Sequence, residues 1–462
     1  MSIDWDAATA EAVRHLQALI RIPTVNPPGN ERPAADYLAE VLSAEGYDPV
    51  VLESAPGRGN VVARYRGSGV APPLLLLSHL DVVPVEPQKW TRDPFGGEMV
   101  DGMVWGRGAL DMKSTTAMQL VTMLLLARQK PRLARDVIFA ATADEEAGGL
   151  YGIGYLIDHH LDLIRAEYAL TEFGGFPITV GGKRLYLCQV AEKGICWVRM
   201  RARGTPGHGS VPHQDNAVVK LAEAVAKIGR TSLPFHRTDA VAGMVEGMAA
   251  ALGGIRGLVF RGLLNPALSS FILHRFLPDL QQVGYFHALL HNTVSPTVLR
   301  AGSKTNVIPS EAEVDLDGRV LPGQDLDSFL GEVRAVVGDG YEFEPIMVAP
   351  PVETSHRTPL FAAMAEGLRR HDPEAAAVVP MMMTGGTDAK HLARAGIPCY
   401  GFSPLRLPPQ MNFLQIIHGH DERVPVDGLA FGVRVLYEVV SDFCAEETCL
   451  LRERGGTAPQ SA

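Results

Sequence analysis

The sequence predicts an α/β protein in which a larger domain with a buried, mostly parallel sheet is interrupted by a smaller sheet domain. Two observations lead to this prediction. Continuous apolar runs, typical of strands buried on both faces, occur in the first third of the chain and return after about residue 352. Between them, from Gly194 onward, apolar and polar residues alternate with a period of two, which indicates a sheet with one solvent-facing side.

The first third alternates helical and strand-like segments. Apolar residues recur at helical spacing over 6–20, and a second helix is predicted over 114–128. Strand, helix and strand in succession indicate parallel strands covered by helices. The predicted strands are Leu74–Leu77, Val137–Ala141 and Tyr168–Leu170.

The chain is therefore divided into a discontinuous domain, residues 1–192 and 353–462, and an inserted domain, residues 193–352. The insert contains an apolar, leucine- and glycine-rich segment near 230–300 with several prolines, which the pattern does not assign to any element. The other predicted elements are alternating strands at 194–203 and 311–320, a helix at 324–337, strands at 341–348, 378–383 and 399–402, a helix at 427–443, and a disordered tail at 453–462.

Composition excludes several classes of function. The formal net charge of -10 argues against nucleic acid or an anionic membrane as the partner, and it favours solubility. The acidic N-terminus does not resemble a signal peptide, and the longest stretch without charged residues, 280–299, is too polar to span a membrane. Five scattered cysteines without a CxxC pair exclude a cysteine-based zinc knuckle and favour a reducing compartment, so we expect a cytoplasmic protein.

Polar residues that can bind metal follow four of the apolar runs, each at its C-terminal end. In open α/β sheets the ligand crevice lies beyond the carboxyl ends of the strands, so we expect these groups to converge. The four groups are His79 with Asp81, the acidic run 144–146, Glu172, and the segment 384–388.

His79 and Asp81 alternate along a strand, so their side chains point roughly the same way. A neutral imidazole is a good zinc ligand, and a nearby carboxylate can fix its tautomer. The alternative interpretation is a surface turn, because a short motif alone is only a hypothesis.

Asp111 ends a glycine-containing approach that begins at Gly106 and stops just before the predicted helix. A simple N-cap is the alternative, since aspartate commonly has that role. Capping does not require the glycine-rich approach, so together with the other clusters the pattern favours ligation.

The carboxylates of Asp144, Glu145 and Glu146 follow seven uncharged residues and precede two glycines. Like charges this close repel one another unless a cation or a proton neutralises them. Neighbouring side chains on an extended chain point apart, so one glutamate can bind metal while the next faces substrate. The alternative is an ordinary solvated acidic face.

Near the C-terminus, His418 and His420 lie two residues apart. Either could reach a metal, and the spacing does not choose between them; a solvated loop histidine is the alternative.

Taken together, the order of these motifs resembles the M20 metallopeptidase family, from about residue 10 to 440. The resemblance implies a zinc-exopeptidase-like mixed sheet flanked by helices, with an inserted α+β lid domain. Its matching motifs are SerHisLeuAspValValPro, GlyArgGlyAlaLeuAspMetLys, AlaAspGluGluAlaGlyGly, ThrGluPheGly, GlyThrProGlyHisGlySerValPro, LysThrAsnValIlePro, AspGlyArg, GlyGlyThrAspAla and HisGlyHisAspGluArg.

The resemblance also implies a ligand set. His79 with Glu172 would bind one zinc, and Glu146 with His418 the other. Asp111 would bridge the two metals, and the peptide bond after it is cis in this family. His418, the first histidine of its motif, is thereby favoured over His420.

Further roles follow from the same resemblance. Asp81 would orient His79, and Glu145 would act as general base. In the lid, His208 would help polarise the scissile carbonyl. The alternative for His208 is a turn histidine.

Other lid and loop residues would bind substrate. Asn306 and Arg319 would contact a substrate carboxylate, and Gly385 and Gly386 would offer their backbone to the substrate. The alternatives are a cap or turn for the asparagine and a surface ion pair with Asp315 or Asp317 for the arginine. The 230–300 segment is longer than the corresponding part of desuccinylase lids, and it resembles that of the aminoacylase and carboxypeptidase S branches. We also expect a homodimer formed through the lid.

The expected function is therefore a co-catalytic dizinc hydrolase that cleaves the amide bond of a peptide or N-acyl amino acid bearing a free carboxylate. The cofactors would be two Zn²⁺ ions, and Co²⁺ or Mn²⁺ suit the same ligands. The alternatives are a deacylase of a small biosynthetic metabolite, a metal-dependent binding protein without activity, and a serine hydrolase using Ser210 or Ser403. No GxSxG elbow precedes a helix to support the last of these.

Overall fold

The computed structural model describes residues 2–276, 280–408, 411 and 416–453. The described chain forms two compact units: a first unit of residues 1–189, 356–380 and 387–462, and a second unit of residues 190–355 and 381–386. The tail predicted to be disordered lies, from residue 454 onward, outside the described residues.

Helices and strands alternate along most of the chain. The helices are α1 (Trp5–Ile20), α2 (Arg32–Ala44), α3 (Lys113–Gln129), α4 (Ile153–His159), α5 (Leu161–Ile164), α6 (Ala217–Ile228), α7 (Asp239–Leu252), α8 (Gly254–Arg261), α9 (Ser269–Phe276), α10 (Leu280–Leu290), α11 (Leu326–Val337), α12 (Pro359–His371), α13 (Ala389–Arg394), α14 (Val426–Cys444) and α15 (Glu446–Glu453). The strands are β1 (Val50–Glu53), β2 (Gly59–Tyr65), β3 (Leu74–His79), β4 (Met99–Val100), β5 (Met103–Trp105), β6 (Val137–Thr142), β7 (Tyr168–Thr171), β8 (Gly174–Val180), β9 (Lys183–Glu192), β10 (Gly194–Arg203), β11 (Gly207–His208), β12 (Thr293–Ala301), β13 (Val307–Ile308), β14 (Glu311–Val320), β15 (Tyr341–Ala349), β16 (Val352–Glu353), β17 (Ala377–Met383), β18 (Cys399–Gly401) and β19 (Arg423–Pro425).

A mixed sheet forms the centre of the first unit, with the strand order β1-β2-β6-β3-β7-β18-β9. Its inner strands β6, β3, β7 and β18 are parallel to their neighbours in this group, whereas β1, β2 and β9 pair antiparallel. Every residue of β3 and β6 is buried, because helices cover both faces of the sheet. This explains their uninterrupted apolar sequences and confirms the predicted α/β class.

Helices pack on both faces of this sheet. On one side α3 contacts α1 and α14, and it is buried from Lys113 through Leu126. On the other side Ile153, Leu156 and Leu392, from α4 and α13, join the apolar cluster beneath Leu75 and Ile138. The inner strands β3 and β6 therefore have no solvent-facing side.

The second unit is built on a four-stranded antiparallel sheet in the order β12-β14-β10-β15. The predicted alternation is realised here, since Val198 pairs with Leu316 in a core closed by Phe329 of α11, while Arg199 pairs with Asp315 on the other face. The helix predicted from 324 begins at Leu326, because Asp325 forms a capping box with Ser328.

The 230–300 segment, which the sequence pattern left unassigned, is mainly helical. It contains α7, α8, α9 and α10 and leads into β12. Among the described residues, no helix has the length and apolarity needed to cross a membrane. All five cysteines are buried, and none of them forms a disulfide.

Candidate metal centre

The three central parallel strands β6, β3 and β7 end at one edge of the sheet, and each places functional side chains there. His79 is the last residue of β3, and Glu172 directly follows β7. Glu145 and Glu146 begin a 3-10 turn three residues after the end of β6. The structure therefore brings together at one edge the groups that the sequence placed at the ends of these three strands.

Asp111 lies between two imidazoles. Its Oδ1 is 3.3 Å from Nε2 of His79, and its Oδ2 is 3.1 Å from Nε2 of His418. Each histidine has a second carboxylate partner: His79 Nε2 is 3.4 Å from Oε2 of Glu172, and His418 Nε2 is 3.2 Å from Oε1 of Glu146. The arrangement is two histidine–glutamate pairs joined by one shared aspartate.

The two adjacent glutamates face different parts of the cluster. Oxygen or nitrogen atoms of His79, Glu145 and Glu172 lie within 4.8 Å of one another, and so do those of His79, Asp111 and Glu146. Of the two glutamates, Glu146 is the one paired with His418. Glu145 thus lies beside one histidine–glutamate pair without belonging to the second.

Buried carboxylates and imidazoles shift one another's pKa values at this edge. Burial raises the pKa of Glu172 to about 8, and the Asp111 carboxylate adds to that rise while His79 opposes it. Burial, followed by Glu172, likewise raises the pKa of Glu145 well above its usual value. The Asp111 and Glu146 carboxylates raise the pKa of His418 to about 10. Four carboxylates thus face two imidazoles, a donor set that suits a divalent metal such as zinc.

Asp111 does not cap α3. The N-cap residue of that helix is Met112, and no side chain caps its first turn. The peptide bond between Asp111 and Met112 is cis, as the family resemblance implied. The Asp111 side chain is directed to the two histidines instead, which removes the capping alternative.

Asp81, which was expected to orient His79, contacts the imidazole ring through its backbone and its carboxylate. Nδ1 of His79 lies 3.0 Å from the backbone carbonyl oxygen of Asp81 and 3.5 Å from its carboxylate. The carboxylate accepts hydrogen bonds from the backbone N–H groups of Glu145 and Glu146, both at 3.1 Å. Asp81 therefore holds the turn that carries both glutamates.

Three residues around Asp81 were not identified from the sequence. Asn26 donates through Nδ2 to Asp81 at 2.8 Å and to Asp144 at 3.2 Å. Arg58 pairs with Asp144 at 2.6 Å and with Glu31 at 3.2 Å, and all of these side chains are buried. Asn26 and Arg58 are isolated in the sequence, and no local pattern connects them to the acidic run.

Two other buried acids were also missed as site residues, although both lie in quoted motifs. Burial raises the pKa of Asp388 to about 7, and its Oδ1 has no hydrogen-bond partner among the described residues. Glu422 is fully buried and contacts the loop that precedes Asp111. Of the two histidines, His418 is the one whose Nε2 faces the cluster, whereas His420 lies 4.0 Å from the surface residue Glu86.

The predicted lid residues lie in the second unit. His208 in β11 is exposed, and its Nδ1 accepts a hydrogen bond from the backbone N–H of Ser210 at 3.2 Å and lies 2.7 Å from the hydroxyl of the same residue. A backbone N–H can only donate, so the ring proton is on Nε2 and is available to a ligand. The exposed Asn306 lies beside this turn, where its backbone carbonyl oxygen accepts a hydrogen bond from Gly209 N–H at 2.9 Å.

Arg319 forms the ion pair that was the alternative to its substrate role. Its Nε lies 2.7 Å from Oδ1 of Asp317, and its guanidinium lies 5.9 Å from the ring centre of Trp197. Gly385 and Gly386 follow β17, and a Cβ added to Gly386 would meet nothing closer than Glu192 Oε2 at 3.8 Å. That backbone is therefore open to an approaching group.

The fold and the centre together define a metal-dependent hydrolase of amide bonds. The sequence model of "Peptidase family M20/M25/M40" matches residues 75–442. The chain belongs to this family, which confirms the resemblance seen in its motifs.

Individual relatives span almost the whole chain. It is 27% identical over 454 residues to the N-fatty-acyl-amino acid synthase/hydrolase PM20D1 of Mus musculus, covering 92% of this chain and 86% of the mouse protein. It is also 27% identical over 431 residues to aminoacylase-1 of Sus scrofa, covering 91% and 92% of the two chains. Among solved structures, the M20 family metallo-carboxypeptidase Sso-CP2 of Sulfolobus solfataricus superposes with a TM-score of 0.65 at 19% identity, covering 94% and 99%.

Proposed function

We propose that this chain hydrolyses the amide bond of N-acyl amino acids, and of small peptides with a free carboxylate, with two zinc ions as cofactors. The observation that carries the proposal is Asp111, which lies between two histidines that each have a glutamate partner. The two sequence relatives described above support an N-acyl amino acid, since both names refer to removal or transfer of an acyl group on an amino acid.

The residues that would hold the metals are His79 with Glu172, and His418 with Glu146, with Asp111 shared. A metal pair at this site supplies Lewis acidity, which acidifies water and polarises an amide carbonyl. Cobalt or manganese would suit the same nitrogen and oxygen ligands.

Glu145 would move the proton. Its carboxylate takes a proton from the attacking water as the water oxygen bonds to the amide carbon, and gives that proton to the amine nitrogen as the C–N bond breaks. A base that must also act as an acid requires a pKa nearer to neutrality than that of an ordinary glutamate. Burial raises the pKa of Glu145 in that direction.

The lid would supply the remaining contacts. His208 carries its ring proton on Nε2, so it can donate to the carbonyl oxygen as negative charge develops there. Arg319 would release its ion pair with Asp317 and form two parallel hydrogen bonds to the substrate carboxylate instead. Asn306, Gly385 and Gly386 would complete the contacts to the carboxylate and the substrate backbone.

The cellular setting is part of the proposal. Five buried cysteines without a disulfide fit a reducing compartment, and we place the protein in the cytoplasm. A homodimer formed through the second unit remains part of the proposed assembly.

The test is a substrate panel assayed before and after metal removal. It contains N-acetyl and long-chain N-acyl amino acids, dipeptides, and the same compounds with the carboxylate converted to a carboxamide. We expect a chelator to abolish hydrolysis, zinc to restore it, and the carboxamides to react at least ~10-fold more slowly because the charged contact is lost. Activity that resists the chelator would overturn the metal mechanism, and equal rates for carboxylate and carboxamide would overturn the role of Arg319.

A further inference from the structure

Glu422 is a buried carboxylate that the proposed mechanism does not use. It lies four residues after His418, directly before β19, and its side chain has no exposed surface. Glu422 lies at the end of the loop that carries the candidate ligand His418, so its contacts bear on how that ligand is held.

The Glu422 carboxylate accepts four hydrogen bonds from one short loop. Oε2 accepts from Nη1 of Arg107 at 2.7 Å and from Gly108 N–H at 3.0 Å. Oε1 accepts from Leu110 N–H at 2.6 Å and from Asp111 N–H at 3.0 Å. The loop 107–111, which ends at the shared aspartate, is thus hydrogen-bonded at four points to the side chain of Glu422.

Further bonds join the same two segments. The carbonyl oxygen of Glu422 accepts from Gly106 N–H at 2.9 Å, and Arg107 Nη2 donates to the carbonyl oxygen of Gly419 at 2.9 Å. Beyond the loop, Arg423 pairs with Trp105 in the β19–β5 ladder. The segment carrying His418 is therefore bonded to both ends of the loop carrying the shared aspartate.

We propose that Glu422 is a positioning residue that sets the distance between Asp111 and His418, and through them the spacing of the two metal positions; this rests on the proposed metal centre. The hydrogen bond from Asp111 N–H to Glu422 fixes the backbone of Asp111, and with it the position from which the aspartate side chain extends. The Oδ2 atom of that side chain lies 3.1 Å from Nε2 of His418. Groups that hold ligands in place commonly change metal affinity 10- to 100-fold when they are replaced.

The substitution Glu422→Gln tests this with almost no change in shape. A carboxamide presents one acceptor oxygen and one donor nitrogen, so one of the two pairs of N–H donors faces another donor. We expect zinc affinity of the metal-free protein, measured by competition with a chelator of known strength, to fall roughly 10- to 100-fold. Hydrogen exchange of the amides at 110 and 111 in the metal-free protein should become faster.

A matched control separates positioning from general destabilisation. Asp372 in the same unit is 1% exposed and accepts bonds from Nη1 of Arg184 at 2.8 and 2.7 Å and from the Tyr186 hydroxyl at 2.9 Å. Asp372→Asn should lower the melting temperature and leave zinc affinity unchanged. An equal loss of affinity in both variants would show that Glu422 has only a structural role.

A second variant keeps the proposal testable if Glu422→Gln does not fold. Arg107→Gln leaves the backbone N–H bonds to Glu422 in place and removes the bridge to Gly419, so we expect a smaller fall in zinc affinity. Unchanged affinity and unchanged amide exchange in the folded variants would overturn the inference. Wild-type protein that does not bind two equivalents of zinc would instead overturn the proposed metal centre.

Discussion

Nδ1 of His79 lies 3.0 Å from the backbone carbonyl oxygen of Asp81 and 3.5 Å from the carboxylate of the same residue. The backbone contact suffices to keep the proton on Nδ1, which leaves Nε2 free to face the acidic cluster. The carboxylate is thereby available for a second task, which is holding the turn at Glu145 and Glu146.

This relationship predicts the behaviour of Asp81→Asn. The amide cannot accept from both backbone N–H groups, so the turn carrying the proposed base should shift while His79 keeps its orientation. We expect kcat to fall by about 10- to 100-fold, with zinc content close to two equivalents. The measurement is steady-state kinetics combined with metal analysis, and a variant with normal kcat would show that the turn does not depend on Asp81.

Glu145→Gln separates the proton-transfer role from metal binding. The carboxamide cannot take the proton from water, so kcat should fall by roughly 10²- to 10⁴-fold while zinc remains bound and KM changes little. Glu146→Gln is the matched comparison, since its oxygen lies 3.2 Å from His418 and its loss should reduce zinc content. Near-normal turnover by Glu145→Gln would refute the assignment of the base.

Arg319 and Asp317 form an ion pair, and substitutions of the two residues should change KM in opposite directions. Arg319→Ala should raise KM for carboxylate substrates about 10-fold or more and leave the slower carboxamide analogues unaffected. Asp317→Asn removes the competing carboxylate at 2.7 Å and should lower KM for carboxylate substrates. Identical effects of Arg319→Ala on both substrate types would mean that this side chain only stabilises its own strand.

Glu31 makes the stability of the metal-free protein depend on pH. Burial, with added repulsion from Asp81 and opposed by Arg58, raises the pKa of this carboxyl to about 7 in the folded chain, from an ordinary value near 4.5. The folded state then binds the proton more tightly than the unfolded state, so the stabilisation is complete below pH ~4.5 and is lost as pH rises through about 7.

The substitution Glu31→Gln removes this dependence. The variant should gain stability relative to wild type between pH 5 and 8, by at most about 3 kcal/mol from the shift alone. Chemical unfolding of the metal-free proteins at several pH values measures it, with Glu366→Gln on the exposed side of α12 as the control. A constant difference between variant and wild type across this range would contradict the prediction.

The sequence predicted the parts of the fold that repeat a simple period. The strands β3 and β6 are buried on both faces, so their sequences are apolar throughout. The strands β10 and β14 are buried on one face, so apolar and polar residues alternate along them. Functional groups at the strand ends could be identified for the same reason. The 230–300 segment was not predicted because its helices mix apolar residues with glycine, and no regular polar face reveals their period.

Contacts between distant single residues could not be predicted. Arg58 and Asp144 are 86 positions apart, and Glu422 and Asp111 are 311 apart. Arg58 lies outside every quoted motif, and the motif that contains Glu422 was interpreted only through its histidines. Burial and pairing become visible only when the chain brings these residues together.

The strand β18 lies inside the central sheet, parallel to β7 and next to β9, although more than two hundred residues separate it from β7 along the chain. During synthesis, both neighbours leave the ribosome long before residues 399–401 do, and His418 follows later still. An N-terminal fragment ending ahead of β18 would leave the β7 edge that faces β18 unpaired, and it would lack His418. Such a fragment should therefore be aggregation-prone and inactive, because the residues from 399 onward complete both the central sheet and the proposed metal centre.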